Sequence, residues 1–159
     1  MTTKEDVVEA LEGFQTAVEA LVETLPKSEW AKGIYENGWN AKELLSHMAS
    51  TAGVAGLILT LARTGPVVAR REGDSEFDND AFNAQQVTAR EKKNVEALLA
   101  EITDTLDRDK RVLEAAPEQM LASPFEAPWG DTGTVAYIIA DSFSGHLGGH
   151  VDDLKAAVA

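Results

Sequence analysis

The chain has three histidines, and two of them, His146 and His150, stand four apart in "GHLGGHVDDL", residues 145 to 154. On a helix that spacing sets both imidazoles one turn apart on one face. Such a pair can grip a metal ion, and it also arises by accident on solvated helices. Ile139 and Phe143 fall on the same stripe and turn the pair toward the core. Gly145, Gly148 and Gly149 surround it, each weaker than alanine in a helix by about 1 kcal/mol. Something therefore approaches closely here, either a packed helix or a ligand. The third histidine, His47, lies between Leu44 and Ala62, a run without a permanently charged residue, and is expected to be buried. A lone buried histidine is ordinarily a neutral core residue with a hydrogen-bond partner. On a helix facing His146 and His150 it becomes a third ligand, because facing helices build metal sites in bundle cores. Three neutral imidazoles can hold a divalent transition metal and leave a position for water or substrate. Zinc, nickel and iron all accept imidazole.

Composition narrows the chemistry. There is no cysteine, so the chain supplies no disulfide, thiolate ligand or thiol nucleophile. Hydrophobic residues are 44% and charged residues 26%, as in ordinary globular proteins. With 159 residues, one domain over 1–159 is expected. The formal net charge of −13 argues against nucleic acid and anionic membrane as partners, both of which need a basic face. "MTTKEDVVEALEG" has acids where a secretion signal has an apolar core. With the missing cysteines, this points to the cytoplasm. The apolar run from Leu44 approaches the length of a membrane span. Its serines, threonines and histidine fit a central helix of a bundle better.

The elements that must position the histidines read as helices throughout, with no β-rich alternation. Val7, Leu11, Phe14, Val18, Leu21 and Leu25 form one stripe on a helix from about Thr3 to Leu25, with Thr2 and Glu5 as its capping box. Helix two starts at "WNAKEL", with Asn40 and Glu43 as capping box and Trp39 and Leu44 as hydrophobic staple, and runs to about Ala62. Helix three is expected from an N-cap at Asp78, stapled by Phe77 and Phe82, unbroken to about Ala116. Val95, Leu98, Ile102, Leu106 and Leu113 are its buried stripe. Helix four runs from about Thr134 to the end. The expected fold is all-α, a four-helix bundle. Residues 63 to 77 form a long link that could span roughly 50 Å. The apolar run of helix two is only about 29 Å long. The link is either a flexible loop or a crossover that starts helix three beside helix two. The crossover would set His47 level with Asp80 and Asn83.

"GWNAKELLSHMAS" (38–50), "FDNDAFNAQ" (77–85) and "GHLGGHVDDL" (145–154) appear in this order and spacing. In them the chain resembles the DinB family of four-helix metalloproteins. That family includes thiol-dependent S-transferases and the N-terminal domain of mycothiol-dependent maleylpyruvate isomerase. The resemblance implies an up-down-down-up bundle with a crossover between helices two and three. It also implies a divalent metal on His47, His146 and His150. In the isomerases the first helix-four ligand is a glutamate, so His146 fits the all-histidine pattern. The isomerase also carries a C-terminal domain, so a bundle-only transferase is the closer expectation.

A low-molecular-weight thiol cosubstrate and a small-molecule electrophile would then meet at the metal, since thiolate is the nucleophilic form. Without a thiol the same site suits a hydrolase. A non-catalytic metal-binding or structural bundle, such as a homodimer, is the alternative. Asp80, Asn83 and Gln86 are candidate polar wall residues, with Asn83 the one most suited to contact substrate. Arg63, Arg70 and Arg71 are candidates for a thiol's carboxylates, although Arg63 also suits a helix C-terminus. Trp39 and Trp129 are candidate pocket aromatics. Glu43 and Asp153 could orient His47 and His150, against simpler roles as cap and solvated acid.

Overall fold

The computed structural model describes residues 1–64 and 79–157. Helix α1, Lys4–Thr24, buries the expected stripe from Val7 to Leu21, and Leu25 just beyond it. Its capping box is Thr3 with Asp6, one residue later than Thr2 with Glu5. Both pairs have the required spacing of three, so the pattern could not choose between them. The Asp6 amide donates to Thr3 Oγ1 at 3.1 Å, and the Thr3 amide donates to Asp6 Oδ2 at 2.8 Å.

Helix two forms as α2, Ala41–Thr51, and α3, Val54–Arg63. The Asn40–Glu43 box is present: the Glu43 amide donates to Asn40 Oδ1 at 2.8 Å and the Asn40 amide to Glu43 Oε1 at 3.0 Å. Ser50 and Thr51 hydroxyls donate to the His47 carbonyl at 2.8 and 3.0 Å. Such back-bonding bends helices, and here it precedes the break at Ala52-Gly53. The span Ala41–Arg63 is long and apolar enough to cross a membrane by length and composition. In the fold its Leu44, Leu45, Met48, Ile58 and Leu59 are core residues.

Helix three departs from expectation. It is two helices, α4, Asn79–Ala89, and α5, Val95–Ala115. Asn94 is the unread start signal: its side chain accepts the Ala97 amide at 2.8 Å and caps α5. Arg90 and Lys93 both bind Glu101 at the corner, at 2.9 and 2.6 Å. Asn79 at the head of α4 lines a pocket with Thr51 and Val54, and Lys42 Nζ donates to the Glu91 carbonyl just past its end. So α4 runs antiparallel to α2. Helix α5 then turns back parallel to α2 and α3, bringing Thr105 beside Gly53 and Asp109 beside Gly56. The parallel neighbours implied by a crossover are therefore present, but α5 makes them, after α4 has doubled back. The link, Asp78 and Phe77 lie outside the described residues.

After α6, Glu118–Leu121, a hairpin interrupts the helices: β1, Pro124–Glu126, pairs antiparallel with β2, Thr132–Thr134. These strands escaped the sequence reading because three residues are too few to show alternation. Gly130, with φ of 101°, closes the hairpin and holds Trp129 at its tip. Helix α7, Val135–Asp141, is capped by Thr134 and continues through a π-helical segment, Ser142–Leu147, into α8, Gly148–Ala156. Together α1, α2–α3, α5 and α7–α8 form the four-helix bundle. Phe14 and Phe143 meet in its core at 5.6 Å.

Candidate metal centre

Helix α2 delivers His47 because Trp39 and Asn40 start it where they do. The indole of Trp39, itself buried, lies 5.1 Å from the His47 ring and fixes its face. His146 comes from the π-helical segment and His150 from the first turn of α8. A π-turn rotates the residues that follow it relative to an α-helix, and such turns gather at functional sites. His47 and His150 are buried, whereas His146 is exposed and faces the pocket, not the core as its stripe suggested. Of the glycines, only Gly148 is crowded by the backbone of the π-turn. A Cβ on Gly148 would lie 3.1 Å from the Phe143 carbonyl of its own helix, and one on Gly149 would meet nothing. The close approach read from them is thus internal, with no neighbouring helix involved.

The three rings converge. Ring centroids are 5.8 Å apart for His47–His146, 5.1 Å for His47–His150 and 4.7 Å for His146–His150. One nitrogen from each lies within 4.8 Å of the others. Both nitrogens of His47 and Nε2 of His150 are buried without a hydrogen-bond partner. Burial first, then the neighbouring imidazoles of His150 and His146, pull the His47 pKa down to about 4. Burial also lowers that of His150, with His146 adding to it and Glu36 opposing. Neutral imidazoles with free lone pairs are what a transition metal requires. Unpartnered buried nitrogens are otherwise rare. The set therefore fits a divalent ion.

A cavity of about 360 Å³ opens onto His47 and His146. Asp80 and Asn83 of α4 line it, as does Trp129 from the hairpin. The Trp129 indole donates to Asp131 Oδ2 at 2.9 Å. Glu36, Thr51, Asp131, Asp141 and Ser142 also line it and went unread. Glu36 lies in a loop, and Thr51 and Asp141 look like ordinary helix residues, so no local pattern marked them. Among the described residues the wall carries four carboxylates, Glu36, Asp80, Asp131 and Asp141, and no cation. Gln86 turns instead to Arg90, whose guanidinium it accepts at 3.0 Å. Glu43 is occupied as the cap of α2. Asp153 is exposed. Trp39 backs His47 and does not line the cavity, and Arg63 sits exposed at the end of α3, also off its wall. Arg70 and Arg71 lie outside the described residues.

Known proteins match this chain in family and fold. The model of the mycothiol maleylpyruvate isomerase N-terminal domain family matches residues 11–141, a span that contains His47 and ends before His146 and His150. No curated protein matches by sequence. Among solved structures, YfiT from Bacillus subtilis, a probable metal-dependent hydrolase with an unusual four-helix bundle topology, is 18% identical with a TM-score of 0.72. That likeness covers 98% of this chain and 87% of YfiT. A mycothiol-dependent maleylpyruvate isomerase is 16% identical with a TM-score of 0.73, over 97% of this chain and 63% of its own. The colibactin self-resistance protein ClbS, whose structure was solved with double-stranded DNA, is 14% identical with a TM-score of 0.71, over 98% of this chain and 95% of its own. At such identities these structures attest the fold. The family match over most of the chain, on a bundle with this helix order, places the protein in the DinB-like family of mycothiol maleylpyruvate isomerase N-terminal domains.

Proposed function

We propose that the protein is a metal-dependent enzyme that holds a divalent transition metal on His47, His146 and His150 and joins a low-molecular-weight thiol to a small electrophile. The observation that carries this reading is the set of buried imidazole nitrogens without partners, beside a cavity large enough for a small molecule. When bound, the metal would stabilise the anion of a thiol or water that reaches it near neutral pH. The chain's own residues would do the rest. Trp39 holds the His47 ring in place. Asn83 and Thr51 offer neutral hydrogen-bonding groups at the wall, and Trp129 offers an aromatic face. The four wall carboxylates disfavour a thiol that carries its own carboxylates and favour an uncharged polar one. The nucleophile comes from outside, because the chain has no cysteine. Detoxification in a reducing cytoplasm suits such a reaction.

The same carboxylates support a second reading, hydrolysis, in which one of them accepts a proton from water. YfiT is a probable metal-dependent hydrolase. Turnover of a generic electrophile by untagged, metal-loaded protein, with and without a panel of neutral and carboxylate-bearing thiols, separates the two. Rate that needs a thiol, and prefers a neutral one, supports the transferase. Rate that is indifferent to thiol supports the hydrolase, and the absence of either sinks the enzyme reading.

A further inference from the structure

Glu36 stands at the histidine cluster without belonging to a bundle helix. It opens a short 3-10 turn, Glu36–Gly38, in the loop before α2. Its Oε2 lies 3.4 Å from Nε2 of His150, and it lines the same cavity as His47 and His146. That separation is long for a hydrogen bond from an imidazole, and Nε2 of His150 has no such partner. It matches another geometry. Two donors bound at about 2.0–2.2 Å to one tetrahedral ion lie roughly 3.4 Å apart.

The loop is built to hold the carboxylate there. Asn37 adopts φ of 57° and Gly38 φ of 79°, so the chain turns sharply just after Glu36. A non-glycine residue in that region is uncommon, although asparagine tolerates it better than most. The Tyr35 amide donates to the Trp39 carbonyl at 2.8 Å, closing the turn. The Ala41 amide donates to the Lys32 carbonyl at 3.0 Å, tying the loop to the start of α2. The same Trp39 packs on His47. The turn that carries Glu36 is therefore anchored beside the histidines, while the carboxylate itself remains about half exposed, at 46%.

We infer that Glu36 is a fourth, carboxylate donor to the metal held by His47, His146 and His150, supplied from the loop and positioned for an incoming substrate to displace. This rests on the metal-site reading above. It changes the resting site from three neutral ligands to three neutral ligands and one anion.

The test is metal affinity and coordination, read without activity. Full-length wild type, Glu36→Gln, Glu36→Ala and His47→Ala are titrated with zinc against a competing chelator. The cobalt(II) absorption spectrum of each is then recorded. Circular dichroism of the metal-free proteins checks that the variants fold, as expected for an exposed carboxylate. The inference expects both Glu36 variants to lose about tenfold or more in affinity. It also expects their cobalt spectra to change in intensity and position. Affinity within twofold of wild type, with superimposable cobalt spectra, overturns it while leaving the three-histidine site standing. Failure of the wild type to take up zinc or cobalt overturns the metal-site reading, and this inference with it.

Discussion

Two of the buried polar places among the described residues solve opposite problems. One is Asp109 on α5, 2% exposed. Its Oδ2 accepts the Gly56 amide at 3.1 Å, in the first turn of α3, and Arg108 reaches its Oδ1 at 3.3 Å. Burial raises its pKa, while the Gly56 and Arg108 contacts pull the other way. The carboxylate joins two helices and is matched from within. The other place is the histidine cluster, where three buried nitrogens have no hydrogen-bond partner. A buried polar group that finds its partners inside the chain belongs to the fold. One that does not, beside an open cavity, supports the metal site proposed above.

The largest break in this contrast should come from His47→Ala. Losing an outer partner of a ligand typically lowers metal affinity about 10–100-fold, so losing the ligand itself should lower it by more than roughly 100-fold. Chelator competition measures this, and Asp109→Asn should leave the affinity unchanged. Stoichiometric metal that survives in His47→Ala would refute the three-histidine site.

The two places should also differ in the sign of their pH dependence. His47 stays neutral in the fold down to about pH 4, whereas an unfolded histidine protonates near 6.5. Between these values the unfolded chain binds more protons, so stability falls as pH drops from 6.5 to 4 and is flat for this group above 6.5. The full swing is on the order of 3 kcal/mol. Denaturant melts of the metal-free protein should show the slope, and His47→Ala should reduce it, leaving the part that the lowered pKa of His150 contributes. Asp109 has the opposite sign: its contribution is present below the ordinary aspartate value and lost as pH rises through its elevated one.

Asp109→Ala leaves the Gly56 amide without its acceptor and should lower stability by about 1–3 kcal/mol, with zinc affinity unchanged. Gly56→Ala should act on the same contact, because its Cβ would lie 2.6 Å from Asp109 Oδ1. Combined, the two substitutions should destabilise by less than their sum. Strict additivity in denaturant melts would show that the contact is not shared.

Arg63→Ala should have the smallest effect, within about 0.5 kcal/mol on stability, and none on metal affinity. A large loss of thiol-dependent turnover in this variant would restore a role for a cation near the cavity.

Local patterns carried the bundle. The stripe from Val7 to Leu25 and the Asn40–Glu43 box are found as read, and the α5 stripe is found except that Val95 is only partly buried and Asp109 joins it. The three histidines were legible from the spacing of four and from the uncharged run around His47, and Asp80, Asn83 and Trp129 from their types near expected helix starts and pocket edges. The break at Asn94 was legible in principle, since a cap residue precedes a strong stripe. It was hidden because α4 buries only Val87 and so shows little pattern of its own.

The amino-acid sequence by itself determined the helix stripes, the cap of α2 and a donor set without thiolate. These follow from side-chain periodicity, from hydrogen bonds three residues apart and from the absence of cysteine. Only the tertiary structure decided that α4 doubles back, that a hairpin carries Trp129 and Asp131 to the cavity, and that a loop sets Glu36 against His150. Those placements depend on contacts between segments tens to more than a hundred residues apart. No local spacing encodes them, because they exist only once the bundle has closed.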